Sequence, residues 1–464
     1  MFSKDVYLNR RKKLKEMMNS GIGFFPGNVE IPFNYRANPY YFRQDSSFLY
    51  YFGIDRPDLA AIIDFETGNE ILFGNDFDIE DIIWMGVQPS MDEWAEKSGV
   101  ALHLHLAELP NVFRSFLNRS IDIHYLPVYH NHSAILLSEL SGKSIAESKN
   151  GASEKLIRAV VAMAEIKDDL EIAEIERAVD ITRLMHITSM RMAQPGRIEQ
   201  EIAGTIEGIA KAYGGHVSFP VILSSNGHIL HNHHHNNILQ SGRMMVTDAG
   251  AETNMHYAGD ITRTVPVGGK FNARQRDIYQ IVLDANMAVI QNSRPNLMYK
   301  EMHLLAASII TDGLKNLGIM KGSTQDAVAA GAHALFMPHG LGHQMGLDVH
   351  DMEGLGENFV GYDETVNRSE QFGLAYLRMA KKLKPGHVIT DEPGIYFIPE
   401  LFKLWKKENK HAAFINFDEA KKFLDFGGVR IEDDILITEN ACRVLGKAIP
   451  KTVAEIEETM RDIL

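Results

Sequence analysis

Cysteine is nearly missing from this chain: Cys442 stands alone among 464 residues. A lone thiol excludes an internal disulfide, so the fold must be held by its core, and a reducing cytoplasmic setting is expected. Long apolar runs are missing too. None approaches the roughly 20 residues that a bilayer-crossing helix needs, which predicts no membrane partner. The N-terminal residues Met1 to Asp5 lead into Arg10-Arg11-Lys12-Lys13 with no apolar stretch behind them, so no secretory signal is expected. Basic charge is also short. Lys and Arg number 47 against 61 Asp and Glu, a formal charge of −14 that argues against nucleic acid as a partner, because phosphate binding needs a basic surface. What the chain does have is 45% hydrophobic residues, enough for sizeable cores, and a length that predicts two domains.

The first, residues 1–160, reads as α/β. A basic helix near 3–19 precedes apolar strands at Gly21 to Phe25, Leu59 to Phe65 and Glu70 to Phe73. Helices follow near 90–98, 106–118 and 133–148, with Ile121 to Tyr125 alternating as a strand. From residue 161 to 464 the pattern is α+β. A helix from Asp168 to Met192 breaks at Pro195-Gly196, and a second runs from Ile198 to Tyr213 before a strand-rich stretch to Val267. The order then recurs: a helix near 272–292, a break at Pro295-Asn296, a helix from Tyr299 to Leu317, then strands. Two helix pairs, each followed by strands, predict a pseudo-symmetric duplicated domain with a cleft between its halves.

Most of the 61 acids have no special setting, but a few do. Asp248 ends the strand Met245-Val246-Thr247, and Asp260 opens Ile261-Thr262-Arg263-Thr264-Val265; a hairpin would bring the two together. Glu392 and Glu432 sit in Val388-Ile389-Thr390-Asp391-Glu392-Pro393-Gly394 and Gly428-Val429-Arg430-Ile431-Glu432-Asp433. A carboxylate among apolar strand residues is costly unless it is paired or metal-bound. With His343 these four form a hard, oxygen-rich donor set, suited to two divalent ions and favouring manganese or cobalt over zinc. Such a pair, roughly 3.5 to 4 Å apart, can share and activate a water for hydrolysis.

Several phrases resemble the pita-bread metallopeptidases, the group that includes aminopeptidase P and prolidase. They are Ile229-Leu230-His231, Asp248-Ala249-Gly250-Ala251-Glu252, Tyr257-Ala258-Gly259-Asp260, Met337-Pro338-His339-Gly340-Leu341-Gly342-His343, Gly346-Leu347-Asp348-Val349-His350-Asp351, Glu392-Pro393-Gly394 and Arg430-Ile431-Glu432. Phe42 to Gly53 and Ile83-Trp84-Met85-Gly86 resemble the N-terminal domain of aminopeptidase P. The resemblance implies a pita-bread catalytic domain and carries over Asp248, Asp260, His343, Glu392 and Glu432 as ligands of two divalent ions, Mn2+ first, with Co2+ or Zn2+ as alternatives. It implies His231, His339 and His350 as proton-handling or oxyanion-stabilising imidazoles and Glu392 as the proton shuttle. Arg430 would hold a ligand carboxylate or bind a substrate terminus. The turn between Asp248 and Asp260 is one residue longer than the family pattern, which should alter only the hairpin tip.

The implied activity is hydrolysis of the Xaa-Pro bond at a peptide's N-terminus, by an Xaa-Pro aminopeptidase or, alternatively, an Xaa-Pro dipeptidase. The N-terminal phrases favour the former, whereas the motif wording and the long stretches 353–383 and 398–425 look prolidase-like. A binding module without catalysis is a third reading, against which the full ligand set speaks. Peptides with proline in second position and a homo-oligomer are the implied partners. His233, His234 and His235 read as a solvated polar loop rather than a metal tract.

Overall fold

Strands buried along almost their whole length build the sheets, and capped helices cover them. The structure is a computed structural model describing residues 1–463, which divide into two compact units. One comprises Met1–Ala164 with Gly354–Phe359, the other Glu165–Glu353 and Val360 onward. In the first unit a five-stranded sheet runs in the order Leu102–Leu104, Glu70–Phe73, Ala60–Asp64, Ile22–Pro26, Ile123–His124. Its three central strands are antiparallel and its two edges pair parallel. Ile22, Phe24, Ile62 and Phe73 meet Phe113, Phe116 and Leu137 in one core. The helix Lys4–Met18 is anchored by the fully buried Arg11, which donates to Glu70 at 2.8 Å and to the Tyr51 carbonyl at 2.8 Å. The single helix expected over 133–148 is two, Asn131–Ser141 and Ile145–Asn150. Gly142, at φ 72°, ends the first, and a Ser144/Glu147 capping box starts the second.

The second unit contains the repeated pattern. Helices Asp169–Met192 and Glu199–Ala212 pack together and precede the antiparallel sheet Ile222–Ser224, Met244–Ala249, Ile261–Pro266. Helices Ala273–Asn292 and Tyr299–Asn316 likewise pair, ahead of the antiparallel sheet Cys442–Val444, Asp433–Ile437, Val388–Asp391. The leading helix of each pair opens with a capping box, Asp168 with Glu171 and Asn272 with Gln275, so both halves begin with the same device. A short ladder, Gly394–Tyr396 with Gly428–Arg430, completes the unit. No helix among the described residues is long and apolar enough to cross a membrane.

Candidate metal centre

Hairpin register places the first two acids. Met244–Ala249 pairs with Ile261–Pro266 so that Asp248 lies opposite Thr262, and Asp260 directly precedes the returning strand. The turn can close this tightly because Gly250 has no side chain; a Cβ there would stand 1.8 Å from the Gly259 carbonyl oxygen. In the other half, the Gly342 backbone lies so near Thr390 that a Cβ would come within 2.1 Å of its carbonyl oxygen. That approach lets the His343 amide donate to Thr390 Oγ1 at 3.1 Å and sets His343 beside Glu392. Pairing of Asp391 with Asp433 brings Glu392 and Glu432, one residue to either side, to the same end of the sheet.

These residues line one cavity of about 310 Å³, together with His231, His339, His350, Arg430, Arg378, Phe219, Leu230 and Val349. Ligand-capable atoms of Asp260, His343 and Glu432 lie within 4.8 Å of one another, and all three residues are buried. His343 Nε2 stands 3.4 Å from Asp260 Oδ2 and 3.8 Å from Glu392 Oε1. Its Nδ1 is 3.0 Å from the Gln344 carbonyl oxygen, an acceptor only, so the proton sits on Nδ1 and the Nε2 lone pair faces the carboxylates. Burial lowers the proton affinity of His343 and keeps that lone pair available.

Oxygen atoms are left over in a way that suits a cation. Buried Asp248 Oδ1 and Asp260 Oδ1 have no hydrogen-bond partner. Burial, then the charges of Asp248 and Glu392, push the Asp260 carboxyl well above its ordinary range. Burial, then Asp260 and Glu392, do the same to Glu432. Four acids crowded against one imidazole make a site short of positive charge, and this donor set fits hard divalent ions.

Neighbouring side chains hold the acids in place. Arg430 donates to Asp248, to Tyr396 Oη at 2.9 Å and to Thr262 Oγ1 at 3.0 Å, while Thr262 Oγ1 donates to Glu432 Oε2 at 2.6 Å. Thr390 Oγ1 donates to Glu392 Oε1 at 3.3 Å, and Asp434 Oδ2 accepts the Asp260 amide at 2.9 Å. His339 bridges the Gly340 carbonyl, 2.7 Å from Nδ1, and Tyr396 Oη, 3.0 Å from Nε2. Burial raises the Glu392 carboxyl, but the nearby His339, His343 and Arg430 outweigh it, and the net shift is downward. The His350 ring lies over His343 with centroids 3.9 Å apart. His231 is on the cavity wall, and so is His233, which the polar composition of its loop had suggested was merely solvated. His235 turns away to the Leu223 carbonyl.

The sequence reading passed over Thr262, Thr390, Tyr396, Glu353 and Arg378. Only Tyr396 carried a signal, standing four residues after Glu392 in the same motif.

Comparison with known proteins identifies the family. Residues 173–439 match the model of metallopeptidase family M24, and residues 7–124 match the aminopeptidase P N-terminal domain. The chain is 33% identical to the Xaa-Pro dipeptidase of Homo sapiens, over 90% of this chain and 84% of that one. It is 32% identical to a probable Xaa-Pro aminopeptidase of Aspergillus niger, over 98% and 91%. Among solved structures, a substrate complex of an Escherichia coli aminopeptidase P variant superposes with a TM-score of 0.82 at 29% identity, covering 99% of each chain. Through its matched catalytic region, its relatives and its buried Asp/His/Glu cluster, the chain belongs to metallopeptidase family M24.

Proposed function

We propose that the protein is an Xaa-Pro aminopeptidase: it removes the N-terminal residue from peptides whose second residue is proline. The observation that carries this reading is the gathering of Asp248, Asp260, His343, Glu392 and Glu432 on one cavity wall, with carboxylate oxygens left unpartnered. Those five residues would hold two divalent ions, Mn2+ by the hardness of the donor set, with Co2+ or Zn2+ as alternatives. When bound, the ions supply Lewis acidity and a water acidic enough to act as nucleophile near neutral pH.

The rest is the work of this chain's own groups. Glu392 takes the proton released as the water oxygen bonds to the scissile carbonyl carbon, and delivers it to the prolyl nitrogen as the C–N bond breaks. His231 and His350, on the cavity wall, donate to the oxygen that gains charge in the tetrahedral state. Arg430 holds Asp248, and His339 holds Tyr396 against Arg430, so that neither acid nor guanidinium swings away. Phe219, Pro220 and Leu230 form an apolar wall suited to a prolyl ring.

The likeness to the human Xaa-Pro dipeptidase supports a second reading, cleavage of dipeptides only. Hydrolysis of Ala-Pro and Ala-Pro-Ala by metal-stripped protein restored with manganese, cobalt or zinc separates the two, with Ala-Ala-Ala as control. Cleavage of the tripeptide is expected. Cleavage of the dipeptide alone would make the protein a dipeptidase, and no cleavage with any metal would make it a binding module. We assign the protein to the cytoplasm, from its single cysteine, and to a homo-oligomer, from the uncovered apolar residues of the helix Ile79–Met85.

A further inference from the structure

Glu199 opens the helix Glu199–Ala212 and is fully buried, yet its carboxylate takes four hydrogen bonds from uncharged donors. Oε1 accepts from the Ser225 amide at 2.6 Å, from Ser225 Oγ at 2.9 Å and from Ser224 Oγ at 3.4 Å, and Oε2 accepts from Asn237 Nδ2 at 2.9 Å. Those donors stand at the two ends of one loop, 225–237, which follows the strand Ile222–Ser224 and supplies Leu230, His231 and His233 to the cavity wall. The helix also holds the returning end by its backbone. The Glu199 amide donates to the Asn237 carbonyl at 3.0 Å, and the Gln200 amide to that of His235 at 2.8 Å. A further tie reaches the middle of the loop: Ser224 Oγ, which donates to Glu199, accepts from Asn232 Nδ2 at 3.0 Å, and Asn232 Oδ1 accepts from the His234 amide at 2.9 Å. Asn232 is buried, and the residue before it is His231.

The other motif imidazoles on the cavity wall are fixed through their rings: His343 at the Gln344 carbonyl, His339 at the Gly340 carbonyl and Tyr396, and His350 at Glu353. Among the described residues His231 has no such bond, so the placement of its ring depends on the backbone that carries it. We infer that Glu199 is a positioning residue: through Ser224 and Asn232 it sets the backbone that presents His231 to the substrate carbonyl. The inference rests on the Xaa-Pro reading above, in which His231 donates to the oxygen that gains charge. A carboxylate suits this task because it only accepts. It turns the Ser224 hydroxyl proton toward Glu199 and leaves the hydroxyl lone pairs to Asn232 and to the Asn226 amide, which donates at 3.0 Å. The first turn of a helix, in addition, favours a negative charge.

With manganese-restored full-length protein and Ala-Pro-Ala, Glu199→Ala is expected to lower kcat on the order of 10 to 100-fold, since a small displacement of a group that acts in the transition state costs rate on that scale. KM should stay near its wild-type value. Glu199→Gln, which keeps an accepting oxygen for Ser225, should recover most of the loss, and Ser224→Ala, which cuts the tie to Asn232, should lose rate in the same way as Glu199→Ala. The deciding comparison is a double-mutant cycle. In a His231→Ala background, itself at least as slow, Glu199→Ala should slow the enzyme no further. Hydrogen exchange of metal-free Glu199→Ala should quicken in residues 226–237, and its manganese affinity by calorimetric titration should equal that of wild type. Equal losses with and without His231, or a weakened manganese affinity, would reduce Glu199 to a general support of the fold and overturn the inference; so would a Glu199→Ala enzyme as fast as wild type. Should Glu199→Ala not fold, Ser224→Ala goes through the same cycle under the same criteria. Wild-type protein that cleaves neither Ala-Pro nor Ala-Pro-Ala would instead overturn the Xaa-Pro reading itself.

Discussion

Replacing Asp260 with alanine separates two effects that the wild-type residue combines. Without metal, Asp260 is a buried acid pressed by Asp248 and Glu392, and losing it relieves repulsion. Metal-free Asp260→Ala should therefore melt no lower than metal-free wild type. With metal, wild type gains the linkage energy of a bound ion, about 2.7 kcal/mol at a hundred times its dissociation constant. The variant should gain little, and its peptidase activity should fall at least about a hundredfold, since even the partners of metal ligands matter on that scale. Full activity in the variant would sink the metal assignment. Arg430→Lys tests the support around the acids. Three donors reach Asp248, Tyr396 and Thr262 from one planar fork, and a lysine ammonium cannot reproduce it. Metal affinity measured by calorimetric titration should drop on the order of 10 to 100-fold, and an unchanged affinity would leave Arg430 a substrate contact only. The four acids were conspicuous because they stand in or beside apolar strand segments, and His343 because of the motif Met337 to His343 that carries it. Thr262 and Thr390 were not, since threonine is an ordinary strand residue whose hydroxyl partners are set only by tertiary folding, and Tyr396 was marked only by its place in the Glu392 motif. Glu353 and Arg378 lie 25 residues apart in a stretch without periodicity, and nothing in the sequence announces their 3.1 Å contact.

Among the elements, the long helices of the second unit were legible to within a residue or two, because each combines apolar spacing with a capping signal or a proline break. Much harder to read was the chain between His350 and the strand Val388–Asp391, where short turns replace regular elements and ion pairs take over from hydrophobic pattern. One such cluster pins the approach to that strand. Glu165, almost fully buried, accepts from Lys381 Nζ at 2.5 Å and Lys384 Nζ at 2.7 Å, and nearby Lys167 holds Asp351 at 2.8 Å. Glu165→Gln leaves the buried Lys381 ammonium without its counter-charge, which should cost about 3 kcal/mol near neutral pH. Burial raises the Glu165 carboxyl, but the lysines outweigh it and hold the folded value below the usual range. A lowered carboxyl stabilises the fold above its unfolded value of about 4.3, and that contribution is lost as pH falls through the lower folded value. Melting curves of the two proteins should therefore differ most at neutral pH and converge on acidification below about pH 4. A gap that stays constant down to pH 3 would show that packing, not charge, is what the glutamine disturbs.

At the scale of the whole molecule, the helix Ile79–Met85 is the feature that the protein's own interior does not explain. It has no buried residue, yet Ile79, Ile83 and Trp84 are 72%, 70% and 79% exposed, and Val87 just beyond it is 84% exposed. A seven-residue helix is too short to be stable in water on its own. The Asp78/Asp81 capping box fixes one end and Gly86 the other, but neither supplies a reason for the apolar face. Covering such side chains stabilises by about 1.5 to 3 kcal/mol each, so four of them can offset much of the several kcal/mol that association costs. A second copy of this chain is the cover we assign, and sedimentation velocity tests it directly. Wild type should sediment as a dimer or larger species at micromolar concentration. Ile83→Glu and Trp84→Glu, which place a charge at the centre of the covered face, should each shift the boundary toward the monomer. Because both positions are exposed, neither change should lower the melting temperature of the subunit itself, so dissociation and unfolding can be told apart in the same samples. A wild type that remains monomeric at tens of micromolar would remove self-association as the reason for this helix.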